Sequence, residues 1–327
     1  LIPLTSAAPW WLPGGHAQTI VPALLGPTHA LAWRRERWTL ADGDFVDADW
    51  LDPPPANTAA GRCLVLFHGL EGSSGSHYAR AFAAWAQDHG WALVVPHFRG
   101  CSGELNRAPR AYHSGDHAEI GALLAQACQS AGVTRVVAVG VSLGGNALLR
   151  WAAEAGSAAT ERVAAVAAIC APLDLAASAA AISRGLGRWT YTPMFLRSMK
   201  PKALAKLAQY PGLFDAQQLR SARTLGEFDD VFTAPLHGFA DARDYWRRSS
   251  AKPHLHRIDV PTLVLNPLND PFVPAACLPK PMDVSSAVTL CQPRHGGHVG
   301  FPAARFPHDP QALPQAVMDW VARSRHG

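Results

Sequence analysis

RVVAVGVSLGGNALLRWAAEAG, residues 135–156, runs from a Val-rich apolar segment into a Leu- and Ala-rich one through the pentapeptide Gly140-Val141-Ser142-Leu143-Gly144. An apolar run with no polar alternation reads as a strand buried on both faces, and the segment after it reads as a helix. A serine at such a strand-to-helix turn is held in a strained backbone conformation with its hydroxyl over the sheet edge. The flanking glycines remove side chains that would block the turn. Backbone N–H groups at the helix start can also stabilise an oxyanion developing beside that hydroxyl.

The same alternation extends outward. RCLVLF (62–67), WALVVPHF (91–98) and RVAAVAAIC (162–170) read as further buried strands. Between them, HYARAFAAWAQDHG (77–90) ends in Gly90 as a helix should, and GDHAEIGALLAQACQSAG (115–132) opens with Asp116 and Glu119 at capping-box spacing. Strand and helix alternating in this way predict an α/β protein with a mostly parallel central sheet flanked by helices. Upstream, RRERWTL and DFVDADWL flank the turn Asp42-Gly43-Asp44 and predict an antiparallel hairpin. Residues 176–250 carry helical patterns only; strands resume in 258–274 and 287–293, followed by a closing helix over 309–325. The chain is therefore expected to be a single domain, 1–327, with 176–250 a helical lid inserted between core strands.

A serine hydroxyl is a poor nucleophile at neutral pH and needs a base and a carboxylate to orient that base. One known chain order is Ser, then Asp or Glu, then His. Asp270 follows the strand PTLVL and His298 follows the last strand, so the order fits. Asp174, in APLDL after the preceding strand, is the competing acid. Of the pair in RHGGHVGF (294–301), His298 is the expected base, because Gly296 and Gly297 let the backbone pass close to the nucleophile loop; His295 is then a loop residue. The glycines also break the regular structure that a two-histidine metal site would use, and no third ligand stands nearby. The expected oxyanion donors are the N–H groups of Leu143, after the nucleophile, and Leu70, in the Gly-rich turn after the strand 62–67.

Composition excludes several other classes. The formal charge is +4 and no run of five like charges occurs, so no nucleic-acid partner is expected. No apolar run reaches the length of a membrane span, and the opening residues lack the features of an intact signal peptide. The chain starts at Leu1, so the natural start is expected upstream. Six cysteines without a CxxC pair read as small core residues, consistent with a reducing, cytoplasmic setting. Residues 177–210 carry Arg184, Arg188, Arg197, Lys200, Lys202 and Lys206 with no acidic residue, a solvated basic face that could also make peripheral membrane contact.

The segments WLPGGHAQT, FHGLEGSSGSHYA, HFRGCSGELNR, YHSGD, GVSLGGN, ARTLGEFDD, TLVLNPLNDPF and HGGHVGF together resemble the YheT-like branch of the α/β-hydrolase superfamily over nearly the whole chain. The resemblance implies the α/β-hydrolase fold, a carboxylic-ester hydrolase with nucleophile, acid and base at Ser142, Asp270 and His298, and no cofactor or metal. Eukaryotic relatives act on lipids, which implies a small-molecule ester or lipid as partner; in yeast medium-chain acyl groups pass to ethanol, which keeps an acyltransferase as the alternative. A non-catalytic binding protein of the same fold is the remaining one. The acyltransferase signature credited to some relatives falls on His254 and Asp259, where a structural role is simpler. His16 breaks the required order and reads as a satisfied loop histidine, with Arg99 and Cys101 structural.

Overall fold

The computed structural model describes residues 8–25, 31–53, 61–302 and 309–324. The first seven residues, read above for a leader, and Arg325, the expected end of the closing helix, lie outside these. Eight strands, β1 (Ala32–Thr39), β2 (Phe45–Asp52), β3 (Cys63–Phe67), β4 (Ala92–Pro96), β5 (Val136–Val141), β6 (Val163–Ile169), β7 (Thr262–Leu265) and β8 (Val288–Cys291), form one sheet in the order β1-β2-β4-β3-β5-β6-β7-β8. The β1–β2 and β2–β4 pairs are antiparallel and all others parallel. The expected hairpin is thus the antiparallel edge of an otherwise parallel sheet.

Helices α1 (Gly14–Leu24), α2 (His77–Asp88), α3 (His117–Ala131), α4 (Leu143–Ala155), α5 (Leu175–Ile182), α6 (Tyr191–Gln209), α7 (Ala242–Ser249) and α8 (Ala312–Ser324) surround it. Successive side chains of a strand point to opposite faces, so β3 serves two cores. Val65 and Phe67 pack with Leu123, Leu148 and Trp151 of α3 and α4, while Leu64 and Leu66 pack with Phe82, Val317 and Trp320 of α2 and α8. A third cluster, including Leu196, Leu219, Phe228 and Phe232, belongs to the helical segment between β6 and β7 and reaches Phe272 and Val273 beyond β7.

The start of α3 departs from the expected capping box. The Asp116 carboxylate accepts from the Glu119 N–H (3.4 Å), but Glu119 does not reach back: its carboxylate accepts from Arg99 (2.6 Å), which also donates to Asp42 and Asp44 (2.7 Å each). Arg99 is 5% exposed, and three carboxylates around one buried guanidinium tie the β1–β2 turn to α3. That is the structural role expected of it.

Candidate active site

Parallel strands end on a common edge, and ligands of open α/β sheets bind beyond the carboxyl ends of the strands. Leu70 follows β3, Ser142 follows β5, Asp270 follows β7 and His298 follows β8. The sheet therefore brings together residues far apart in the chain.

Ser142 has φ 52 and ψ −120, a left-handed conformation that a residue with a side chain adopts only under constraint. The constraint is close packing of the two glycines. A Cβ on Gly140 would lie 2.6 Å from the Gly144 carbonyl oxygen, and one on Gly144 would lie 2.5 Å from the His68 carbonyl oxygen. Ser142 Oγ lies 3.0 Å from His298 Nε2, and His298 Nδ1 lies 2.9 Å from Asp270 Oδ2. The other oxygen of Asp270 accepts from the N–H groups of Phe272 (2.7 Å) and Val273 (3.3 Å), which fixes the carboxylate's orientation. Asp174 is elsewhere, capping α5 through the Ala177 N–H (3.0 Å).

The β3 turn is built to aim one N–H. The Gly69 carbonyl accepts from His68 Nδ1 (2.7 Å) and from the Gly72 N–H (2.9 Å). The peptide is trans, so the Leu70 N–H on the same plane points the opposite way. Leu70 and Leu143 both line the cavity that holds Ser142, and neither N–H bonds another described residue. His68 is fully buried and its Nε2 accepts from the Phe98 N–H (3.0 Å); burial pushes its pKa down to about 3, so it stays neutral. Gly69 is needed for approach, since a Cβ there would sit 3.2 Å from Ser142 Cβ.

The family model described as the alpha/beta hydrolase fold matches residues 63–303. Escherichia coli YheT, whose name proposes an esterase, is 41% identical over 94% of this chain and 89% of its own length. This chain belongs to the α/β-hydrolase fold family, in its YheT-like branch. Human phospholipase ABHD3 is 24% identical over 97% of this chain and 78% of its own length. Among solved structures, the Pyrococcus furiosus esterase Pf2001 superposes with a TM-score of 0.54 at 13% identity, covering 90% of this chain and 92% of that one, a likeness of fold.

Several motifs of this α/β hydrolase that carried no chemistry in the sequence surround the His298 loop. His16, expected in a loop, lies in α1, where its Nδ1 meets the Tyr191 hydroxyl at 3.0 Å. The same helix holds the His298 loop. Thr19 Oγ1 accepts from the His298 N–H (2.8 Å), Gln18 Oε1 accepts from the Gly296 N–H (3.0 Å) and from Asn269 Nδ2 (2.9 Å), and Asn269 Oδ1 accepts from the Gly297 N–H (3.0 Å). The glycines before His298 do not serve close passage to the nucleophile loop, as the sequence suggested. A Cβ on Gly297 would lie 2.8 Å from backbone atoms of Gly15, Gln18 and Thr19, so the close approach is to α1. His295 is exposed, and neither His254 nor Asp259 lines the cavity.

Cys170, Asp270 and His298 offer donor atoms within 4.8 Å of one another, the one cluster among the described residues with metal-ligand spacing. They do not suit a metal. Burial holds the Cys170 thiol well above its usual range and hence protonated, its sulfur accepts from the Val299 N–H (3.3 Å), and the imidazole and carboxylate bond each other.

The basic face expected on the lid is only partly solvated. Lys206 of α6 is 1% exposed and donates to the carbonyls of Asn106 and Ala108 and to Gln209. Lys202, one turn earlier, pairs with Glu71 at 2.9 Å. Glu71, next to Leu70, has φ 57; its N–H donates to the Tyr112 hydroxyl (3.0 Å), which donates back to its carboxylate (2.8 Å). Arg184, Arg188 and Arg197 remain exposed. Among the described residues no helix is long and apolar enough to cross a membrane.

Proposed function

We propose that this chain is a serine carboxylic-ester hydrolase that works through an acyl-enzyme on Ser142. In this reading His298 Nε2 removes the hydroxyl proton as Ser142 Oγ adds to the ester carbonyl. The Leu70 and Leu143 N–H groups stabilise the oxyanion. Collapse of the tetrahedral intermediate passes the proton from the imidazolium to the leaving alcohol, while the Asp270 carboxylate keeps the ring oriented and favours its charged form. Water, deprotonated by the same imidazole, then releases the acid and restores the serine. The residues need no metal or cofactor for any of these steps.

The single observation that carries the proposal is the unbroken chain of contacts, 3.0 Å and 2.9 Å, from the strained serine through the imidazole to the carboxylate. The cavity over Ser142 opens to solvent and is lined mainly by apolar groups, among them Leu175, Ile182, Phe195, Met199 and Phe272. That lining, with the phospholipase activity in the name of one relative, supports an acyl ester of lipid type as substrate. The test is labelling by a fluorophosphonate together with hydrolysis of p-nitrophenyl esters. Wild type should be labelled and turn over, and Ser142→Ala should lose both, with a fall in kcat of about 10⁶ where the uncatalysed rate allows it to be seen. Turnover that survives Ser142→Ala would refute the mechanism.

A further inference from the structure

The cavity over Ser142 holds polar groups that hydrolysis itself does not use. Ser178, on α5, is 3% exposed, and its Oγ has no hydrogen-bond partner among the described residues. A buried serine in a helix ordinarily returns its hydroxyl to a carbonyl one turn back; here the backbone bond from the Ser178 N–H to the Asp174 carbonyl forms and the side chain stands free, lining the cavity.

Asp229 lines the same cavity. It also lines an adjoining one, which shares Leu70, Leu143, Met199 and Tyr245. Its two oxygens accept from Thr233 Oγ1 (2.6 Å) and Trp246 Nε1 (2.9 Å), and no Lys or Arg among the described residues pairs with it. Each oxygen keeps acceptor capacity. Burial pushes this carboxyl up to about 6. The residue opens a single π turn, Asp229–Thr233, within the lid segment that begins TLGEF, and such turns recur at functional sites. Tyr245 completes the set: its hydroxyl accepts from the Ser114 N–H (2.9 Å), which leaves its proton free to donate.

Two donors with spare protons and an acceptor without a paired cation, in the cavity over Ser142, whose lining is mainly apolar and holds no Lys or Arg, suit one neutral group that both gives and takes a hydrogen bond. Resting on the hydrolase reading above, we infer that Ser178, Asp229 and Tyr245 form a hydroxyl-recognition site, so that the ester this protein turns over carries a free hydroxyl, either on its acyl chain or on its alcohol portion. A hydroxyl bound there donates to Asp229 and accepts from Ser178 or Tyr245. Leaving buried polar groups unpaired is how such a site rejects an analogue that lacks the hydroxyl.

The experiment compares kcat/KM for ethyl octanoate, ethyl hydroxyoctanoates and glyceryl monooctanoate, with a trimethylammonium-bearing octanoate ester as the cationic control. Wild type should favour one hydroxyl-bearing class over ethyl octanoate by about tenfold or more; which class wins names the portion that carries the group. Ser178→Ala and Asp229→Asn should lower kcat/KM for that class about tenfold more than for ethyl octanoate. Ser178→Ala should also melt no lower than wild type, because it removes a hydroxyl that the unliganded protein buries unpaired. This separates recognition from a supporting role, which would lower stability and all substrates together. Equal turnover of plain and hydroxylated esters, equal losses across the panel, or preference for the cationic ester would each overturn the inference. Absence of turnover on every ester, with no labelling of Ser142 in wild type, would instead refute the hydrolase reading on which it stands.

Discussion

Gln18 lies outside the proposed triad, yet its replacement should disable the site. Its side chain is wholly buried and makes three bonds: it accepts from the Gly296 N–H and from Asn269 Nδ2, and it donates to the Leu12 carbonyl (2.9 Å). In Gln18→Ala two donors and one acceptor lose their partner inside the protein. At the lower end of the cost of an orphaned buried polar group, about 1 kcal/mol each, the loss is about 3 kcal/mol. For a chain of 327 residues, with an unfolding entropy of about 2.1 cal/mol/K per residue, that corresponds to a fall in Tm of about 4 °C. The catalytic effect follows from where the bonds lie. Gly296 is two residues from His298 and Asn269 adjoins Asp270, so the variant loosens base and acid at once. A displacement of 1 Å at a reacting group costs about 100-fold. Below its melting range Gln18→Ala should therefore lose about 100-fold in kcat and in the rate of fluorophosphonate labelling. KM should change little, because the cavity-lining residues are untouched. Circular dichroism melts and stopped-flow labelling at 20 °C measure both. A variant that melts like wild type and labels at the wild-type rate would refute the claim that α1 supports the base.

Two further outcomes follow from charges that the fold turns inward. Lys202→Met removes the partner of Glu71 beside Leu70, the proposed oxyanion donor; kcat should fall about tenfold, less than for outright loss of a donor, and Lys202→Arg should recover most of it, with an unchanged kcat in Lys202→Met counting against the arrangement. Asp44 is held down to about 2, because burial, which raises its pKa, is outweighed by hydrogen bonds from Asn106, the Arg107 and Phe45 N–H groups and Arg99. A carboxyl depressed in the folded state stabilises fully above its ordinary value near 4 and loses that contribution as the pH falls toward 2, so the Tm advantage of wild type over Asp44→Asn should be constant from pH 7 to pH 5 and shrink between pH 4 and pH 2, and a constant difference down to pH 2 would refute it.

The residues that were legible in the sequence are those whose signal is local. Ser142 stands out because strand, glycines and helix are contiguous in 135–156, and the parallel pairing of β3, β4, β5 and β6 follows from apolar runs a helix apart. Asp270 and His298 were legible through their place after a strand. What α1 does was not legible, because WLPGGHAQT meets its partners 251 to 279 positions later and nothing local marks Gln18 or Thr19 as a support. The inward turn of Lys202 and Lys206 was equally hidden. A basic strip on a helix looks the same whether it faces solvent or the carbonyls of a loop about a hundred residues earlier.

The distribution of backbone strain ties these long-range contacts to the chemistry. Among the described residues five non-glycine residues have positive φ: Glu71, Ser142, Cys170, Val299 and Phe301. Glu71, Ser142 and Cys170 follow β3, β5 and β6 at the same sheet edge, and Val299 and Phe301 lie one and three residues after His298. Strain of this kind, about 1–3 kcal/mol for each residue, persists only where neighbours over-determine the conformation. The neighbours are identifiable. Tyr112 and Lys202 hold Glu71, the glycines of the turn hold Ser142, and the bond between Val299 N–H and Cys170 Sγ joins two strained residues directly. Gly300, between Val299 and Phe301, packs so tightly on α1 that a Cβ would fall 1.7 Å from the Gln18 carbonyl oxygen. Helix α1 and the helices between β6 and β7 thus clamp the two sides of a strained sheet edge. For that reason a substitution far from Ser142 in sequence, at Gln18 or Lys202, is expected to act on kcat before it acts on substrate binding.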